Sequence, residues 1–130
     1  MSLRSPLGKV LGRGAAKQGV SHWWLQRTTA VALVPLTLWF AFQVMHLPTT
    51  DQLAVREWIA SGVNPSLLVL LIASIAWHSA LGIQVVLEDY VPNKAIKLTA
   101  LLVNTFIHVV VAVVASYAVL RIAFTTLAQG

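Results

Sequence analysis

Three apolar runs, each long enough to cross a bilayer, fix most of what this chain can become. They extend from about Thr28 to Leu47, Ser66 to Leu87 and Leu98 to Leu120. About 20 residues of helix cross the hydrocarbon core. Hydrocarbon offers the backbone no hydrogen bonds, so such runs span as helices. Only 10% of the 130 residues are charged, against about 25% in soluble domains. The three runs account for that deficit and leave no room for a separate soluble domain. The predicted fold is an all-α membrane protein with three transmembrane helices, over residues 22–47, 66–88 and 97–124. Three helices leave much apolar surface uncovered. The chain is therefore expected to form part of a larger heteromeric helix bundle.

Charge placement orients the bundle. Arg4, Lys9, Arg13, Lys17 and Arg27 precede or open the first span, and Lys94 and Lys97 follow the second, so seven of nine basic residues share one side. The positive-inside rule makes that side the bacterial cytoplasm or the mitochondrial matrix. The connection 48–65 and the C-terminus after Arg121 then face the periplasm. Residues 1–20 read as a basic cytoplasmic arm and 21–130 as the three-helix transmembrane anchor. The arm's composition also fits a mitochondrial transit peptide. It continues straight through His22, Trp23 and Trp24 into the first span, which favours a retained arm and a bacterial inner membrane. Spaced basic residues beside a span are explained by topology, so no nucleic-acid partner is expected. The chain has no cysteine, which excludes a disulfide framework, a thiolate nucleophile and a cysteine-held iron–sulfur cluster.

Local signals place the boundaries. Ser21 is a candidate N-cap for the first span, with Trp23 and Trp24 in the aromatic belt. Pro35 falls mid-span, where membrane helices tolerate it. His46 and Pro48 close the span on the far side. Asp51 is a candidate cap for a short interfacial helix, Gln52 to Ser61, with Leu53, Val55, Trp58 and Ile59 as its apolar face. Asn64-Pro65 starts the second span, and Val91-Pro92-Asn93 makes the next turn.

The second span carries the chemistry. An imidazole inside a membrane helix is costly and marks a functional site. His78 is such a group. At ~100° per residue, Ser74, His78, Gly82 and Val85 share one face. Small residues let a helix approach another helix, or a flat ring, closely. A histidine with a glycine one turn on suits an axial haem ligand beside a gap for the macrocycle. A hydrogen bond from His78 to a neighbouring helix is the alternative. The span ends in Glu88, Asp89 and Tyr90, where carboxylates and a phenol meet the membrane surface. His108 in the third span should lie at a similar depth to His78, so a second haem ligand is geometrically conceivable. Asn104, one turn earlier, equally suggests a hydrogen bond between helices.

The stretches Ser21–Ala30 and His78–Val91 resemble the two signatures of the hydrophobic membrane anchor subunits of succinate dehydrogenase, the smaller cytochrome b anchor type. The resemblance covers most of the chain after Gly19 and extends to the three-span layout. It implies that His78 is the axial ligand of a haem b shared with a sister cytochrome b anchor subunit. Gly82 and Ser74 would then pack beside the haem. Arg27 would lie near its propionates, where a guanidinium matches carboxylate geometry. Tyr90 would donate to a carbonyl of ubiquinone, with Asp89 on the proton route, since quinone reduction consumes protons. His22 and Trp23 are secondary candidates near the same groups. Flavoprotein and iron–sulfur subunits are the implied partners, with succinate oxidised in a partner. A fumarate reductase anchor and a non-redox membrane assembly subunit are the alternatives.

Overall fold

The computed structural model describes residues 14–128, leaving out the side chains of 14–19 and of His22. Among the described residues four helices follow one another: α1 (Gly14–Met45), α2 (Gln52–Ala60), α3 (Asn64–Tyr90) and α4 (Lys94–Leu127). Three are long and apolar enough to span a membrane, over Trp23–Met45, Asn64–Tyr90 and Lys94–Leu127. The all-α membrane architecture expected from the sequence is therefore present. The short helix is there too, between the first two spans. Most of the arm, with Arg4, Lys9 and Arg13, lies outside the described residues.

The helix ends follow from side-chain chemistry. Asp51 caps α2, its carboxylate accepting from the Ala54 N–H at 2.9 Å. Gly62 follows the C-cap of α2 at φ +53°, a left-handed conformation that costs glycine nothing. Asn64 then ties the α2–α3 corner, donating to the Trp58 carbonyl at 2.8 Å and to Ser61 Oγ at 3.0 Å. Pro65 lies in the first turn of α3, where its missing N–H is not needed. Asn93 caps α4 by accepting from the Ala95 and Ile96 N–H groups. Ser21 corrects the sequence reading: it lies inside α1 and not at its start. The preceding residues are Ala, Lys, Gln and Gly with no proline, so nothing stops the helix before it.

α3 is the central helix. It packs against both α1 and α4, while α2 lies against α3 and α4 at their far-side ends. Of α3's most apolar stretch, 22% is buried by the rest of the chain, against 6% for α1 and for α4. On α2, Val55, Trp58 and Ile59 are half-buried but Leu53 is exposed. Trp58 stacks on Trp39 of α1 with ring centroids 6.3 Å apart. Large apolar side chains such as Val31, Leu38, Phe106 and Phe124 are mostly exposed. In a bilayer such surface faces lipid or a partner helix, not water.

Candidate functional site

The α1–α3 seam holds His78. Its Nδ1 lies 3.1 Å from Thr29 Oγ1 on α1. The threonine hydroxyl also reaches the carbonyls of Leu25 and Gln26 on its own helix, each at 3.0 Å. Back-bonding of this kind is how threonine satisfies its hydroxyl in an apolar helix. Thr28, Thr37 and Thr105 do the same. The His78 ring is half-buried, and its Nε2 has no hydrogen-bond partner among the described residues.

Gly82 lies one turn further along the same face. A Cβ built there would meet nothing within 4 Å. No crowding within this chain requires a glycine at that position, so there is open space at Gly82, one turn from His78. Ser74, one turn to the other side, is buried within the chain.

His108 has a different environment. Its Nδ1 lies 2.8 Å from the Asn104 carbonyl and its Nε2 3.1 Å from Ser79 Oγ. A carbonyl only accepts, so Nδ1 carries the proton and the serine hydroxyl donates to Nε2. Both ring nitrogens are then occupied. Asn104 is buried and donates to the Ala80 carbonyl on α3 at 3.0 Å. These two residues pin α4 to α3, the interhelical role that their spacing suggested. A groove of about 370 Å³ beside them is lined mainly by apolar and small side chains, Ala73, Ala76, Ala80 and Ala112 among them.

Asp89 and Tyr90 end α3. Both are exposed, Tyr90 to 81%, and the phenol has no partner among the described residues. The turn beneath them is held from α4: Lys97 Nζ donates to the Glu88 carbonyl at 2.7 Å. The Glu88 carboxylate instead accepts from Gln84. The ammonium therefore completes a helix end that lacks backbone donors and favours a cation. Tyr90 lies twelve residues beyond His78, ~18 Å along the helix axis.

Arg27 is exposed, with its guanidinium 5.1 Å from the centre of the Trp23 ring. That stacking leaves the N–H fork open, and no carboxylate pairs with it among the described residues. Arg27 is two residues from Thr29, so it shares the depth of His78. The two side chains diverge by ~200° around α1, however. The structure thus brings His78 to Thr29 but not to Arg27. The side chain of His22 lies outside the described residues. His46 is exposed at the far end of α1, donating from Nδ1 to the Phe42 carbonyl at 2.8 Å.

Sequence reasoning gave no role to Thr29 or Lys97. Thr29 stands in the first signature stretch, but nothing in one helix's pattern names a partner on another. Lys97 was counted only as a topology charge.

The residues present fit a haem. Among the described residues no three His, Cys, Asp or Glu side chains gather to hold a metal ion. An iron held by His78 would need its remaining ligands from outside this chain, as a macrocycle could supply. The free Nε2 of His78 is one donor of the kind a haem iron takes as an axial ligand.

The model of the succinate dehydrogenase/fumarate reductase transmembrane subunit family matches residues 1–119. A succinate dehydrogenase hydrophobic membrane anchor subunit from Rickettsia bellii (strain RML369-C) is 30% identical over 99 residues, covering 76% of this chain and 79% of the relative. One of the same name from Rickettsia conorii (strain ATCC VR-613 / Malish 7) is 26% identical over 101 residues, covering 77% and 80%. A succinate dehydrogenase membrane anchor subunit from Reclinomonas americana is 29% identical over 96 residues, covering 72% and 80%.

Proposed function

The chain belongs to the succinate dehydrogenase/fumarate reductase transmembrane subunit family, and from that premise we propose that it is a membrane anchor subunit of succinate:quinone oxidoreductase. It holds the flavoprotein and iron–sulfur subunits at the bilayer. With a sister cytochrome b anchor subunit it provides sites for haem b and ubiquinone. Succinate oxidation belongs to the partner subunits. The N-terminus is cytoplasmic and the C-terminus periplasmic, in a bacterial inner membrane, a location that the Rickettsia relatives support.

One observation carries the haem assignment: His78 has its Nδ1 engaged by Thr29 while Nε2 stays free, one turn from the open space at Gly82. His78 is the axial ligand, with Gly82 and Ser74 packing alongside. Haem b supplies a one-electron carrier when bound. Arg27, with its N–H fork open, is offered to the propionates. Tyr90 donates its O–H to a quinone carbonyl, and Asp89 passes protons from the adjoining aqueous phase. Trp23 and His22 are secondary candidates at that end. A fumarate reductase anchor is the second reading. The relatives named for succinate dehydrogenase favour succinate as the electron source.

The test is a complex purified through a tag on this chain. Its succinate-reduced minus oxidised spectrum should show a b-type haem band. In the same complex Tyr90→Phe should lower quinone reduction relative to reduction of an artificial acceptor. Absence of haem under both succinate and dithionite would overturn the haem assignment. Equal loss of both activities in Tyr90→Phe would overturn the quinone assignment.

A further inference from the structure

We propose that Thr29 is a positioning residue that fixes His78 with Nδ1 protonated and Nε2 aimed outward as a ligand. This rests on the reading of His78 as a haem ligand.

The hydroxyl of Thr29 has one hydrogen and three neighbours: the Leu25 carbonyl, the Gln26 carbonyl and His78 Nδ1. Both carbonyls can only accept. With the ring proton on Nδ1, the hydroxyl donates to a carbonyl and accepts from the ring, and two hydrogen bonds form. With the proton on Nε2, the hydroxyl donates to Nδ1 and only that bond forms. The Nε2–H is then left without a partner among the described residues. An unpartnered donor in an apolar setting is costly, so the Nδ1–H form is selected. The lone pair then sits on Nε2, where an iron can take it.

The backbone around Thr29 makes this hold firm. The hydroxyl has two carbonyls of its own helix within reach of its one hydrogen, so its donated bond holds it in place. The His78 ring is thereby fixed to α1 as well as to α3. Partners of this kind set the ring orientation and raise the basicity of a ligating histidine, and their loss typically costs 10–100-fold in metal affinity. A more basic imidazole favours the ferric state over the ferrous state. Neither the apolar periodicity nor the topology requires a hydroxyl at position 29; valine would fill the same volume.

The experiment is Thr29→Val, Thr29→Ala and Thr29→Ser in the full complex, beside His78→Ala. Haem is measured per flavin, and the midpoint potential of the b band is titrated. Thr29→Val and Thr29→Ala should lower haem occupancy and raise the midpoint potential. A tenfold loss confined to the ferric state moves it up by about 59 mV. Thr29→Ser keeps the hydroxyl and should restore both. Wild-type occupancy and potential in the valine and alanine variants, with haem lost in His78→Ala, would overturn the role of Thr29 alone. So would a defect that serine fails to restore. Haem retained in His78→Ala would instead overturn the ligand assignment beneath it. Flavin recovered with the tagged chain reports assembly, and the alanine variant serves should the valine variant not assemble.

Discussion

Removing the α3–α4 polar clamp should loosen the bundle and leave the haem in place. The perturbations are Asn104→Leu, His108→Leu and the pair together. Two contacts cross the interface, Asn104 Nδ2 to the Ala80 carbonyl at 3.0 Å and Ser79 Oγ to His108 Nε2 at 3.1 Å. Interhelical hydrogen bonds in membranes average about 0.6 kcal/mol. Neither substitution strands the partner. The Ala80 carbonyl keeps its place in the α3 ladder, and Ser79 can turn to a carbonyl of its own helix. Each variant therefore costs about 0.6 kcal/mol and the pair about 1.2 kcal/mol, near the low end of the range. At about 1.4 kcal/mol per decade, the pair shifts an equilibrium about sevenfold. The assay is the rate of thermal inactivation of the purified complex, with the haem spectrum recorded beforehand. Inactivation should accelerate about threefold in each single variant and up to about sevenfold in the pair, taking unfolding as limiting. The haem band should match wild type throughout. Loss of the band in His108→Leu, with the band kept in His78→Ala, would refute the assignment of the two imidazoles. Unchanged inactivation in the double variant would refute the clamp.

Two more predictions concern other points along α3. Lys97→Met removes the cation from the Glu88 carbonyl and frees the turn carrying Tyr90, so the quinone KM should rise about threefold. Lys97→Arg should restore it, and an unchanged KM in the methionine variant would refute the positioning argument. At Gly82 an added Cβ meets nothing within 4 Å in this chain, and Gly82→Leu should insert with the complex assembled. Its haem-to-flavin ratio should fall, because the side chain enters the space beside His78; an unaltered ratio would show that this space is not the haem's.

Much of the fold was legible because lipid imposes such simple demands. Spans, the α2 cap at Asp51 and the turn at Asn93 each follow from local chemistry. Ser21 was misplaced because a cap signal means little where the preceding residues already favour helix. In the site, the sequence exposed His78 because an imidazole is rare in such surroundings. It set His78 apart from His108 by the glycine one turn on and the acidic end of its span, and left His108 between a second ligand and an interhelical hydrogen bond. It could not find Thr29, whose hydroxyl satisfies itself locally whether or not another helix presents a ring. Interhelical partners depend on how each helix is rotated about its axis. Apolar periodicity fixes that rotation poorly in a bundle whose outer faces are also apolar.

Rotation about α3 is what divides structure from chemistry in this chain. His78 and Ser79 are adjacent, so their side chains leave the helix ~100° apart. One turns to α1 and the other to α4. On the α4 side both His108 ring nitrogens are taken, Nε2 by Ser79 and Nδ1 by the Asn104 carbonyl, and Asn104 Nδ2 donates to the Ala80 carbonyl. On the α1 side one nitrogen is left over, and the next turn offers a glycine with empty space around it. An imidazole with both nitrogens occupied adds rigidity and offers nothing to a ligand. One with a free lone pair and open space a turn away does the reverse. On the proposed function, a haem at His78 would approach past Gly82 on the α1 side of α3, and a sister subunit sharing it would lie on that side. Gly82→Leu bears directly on this division, because it obstructs only one of the two faces.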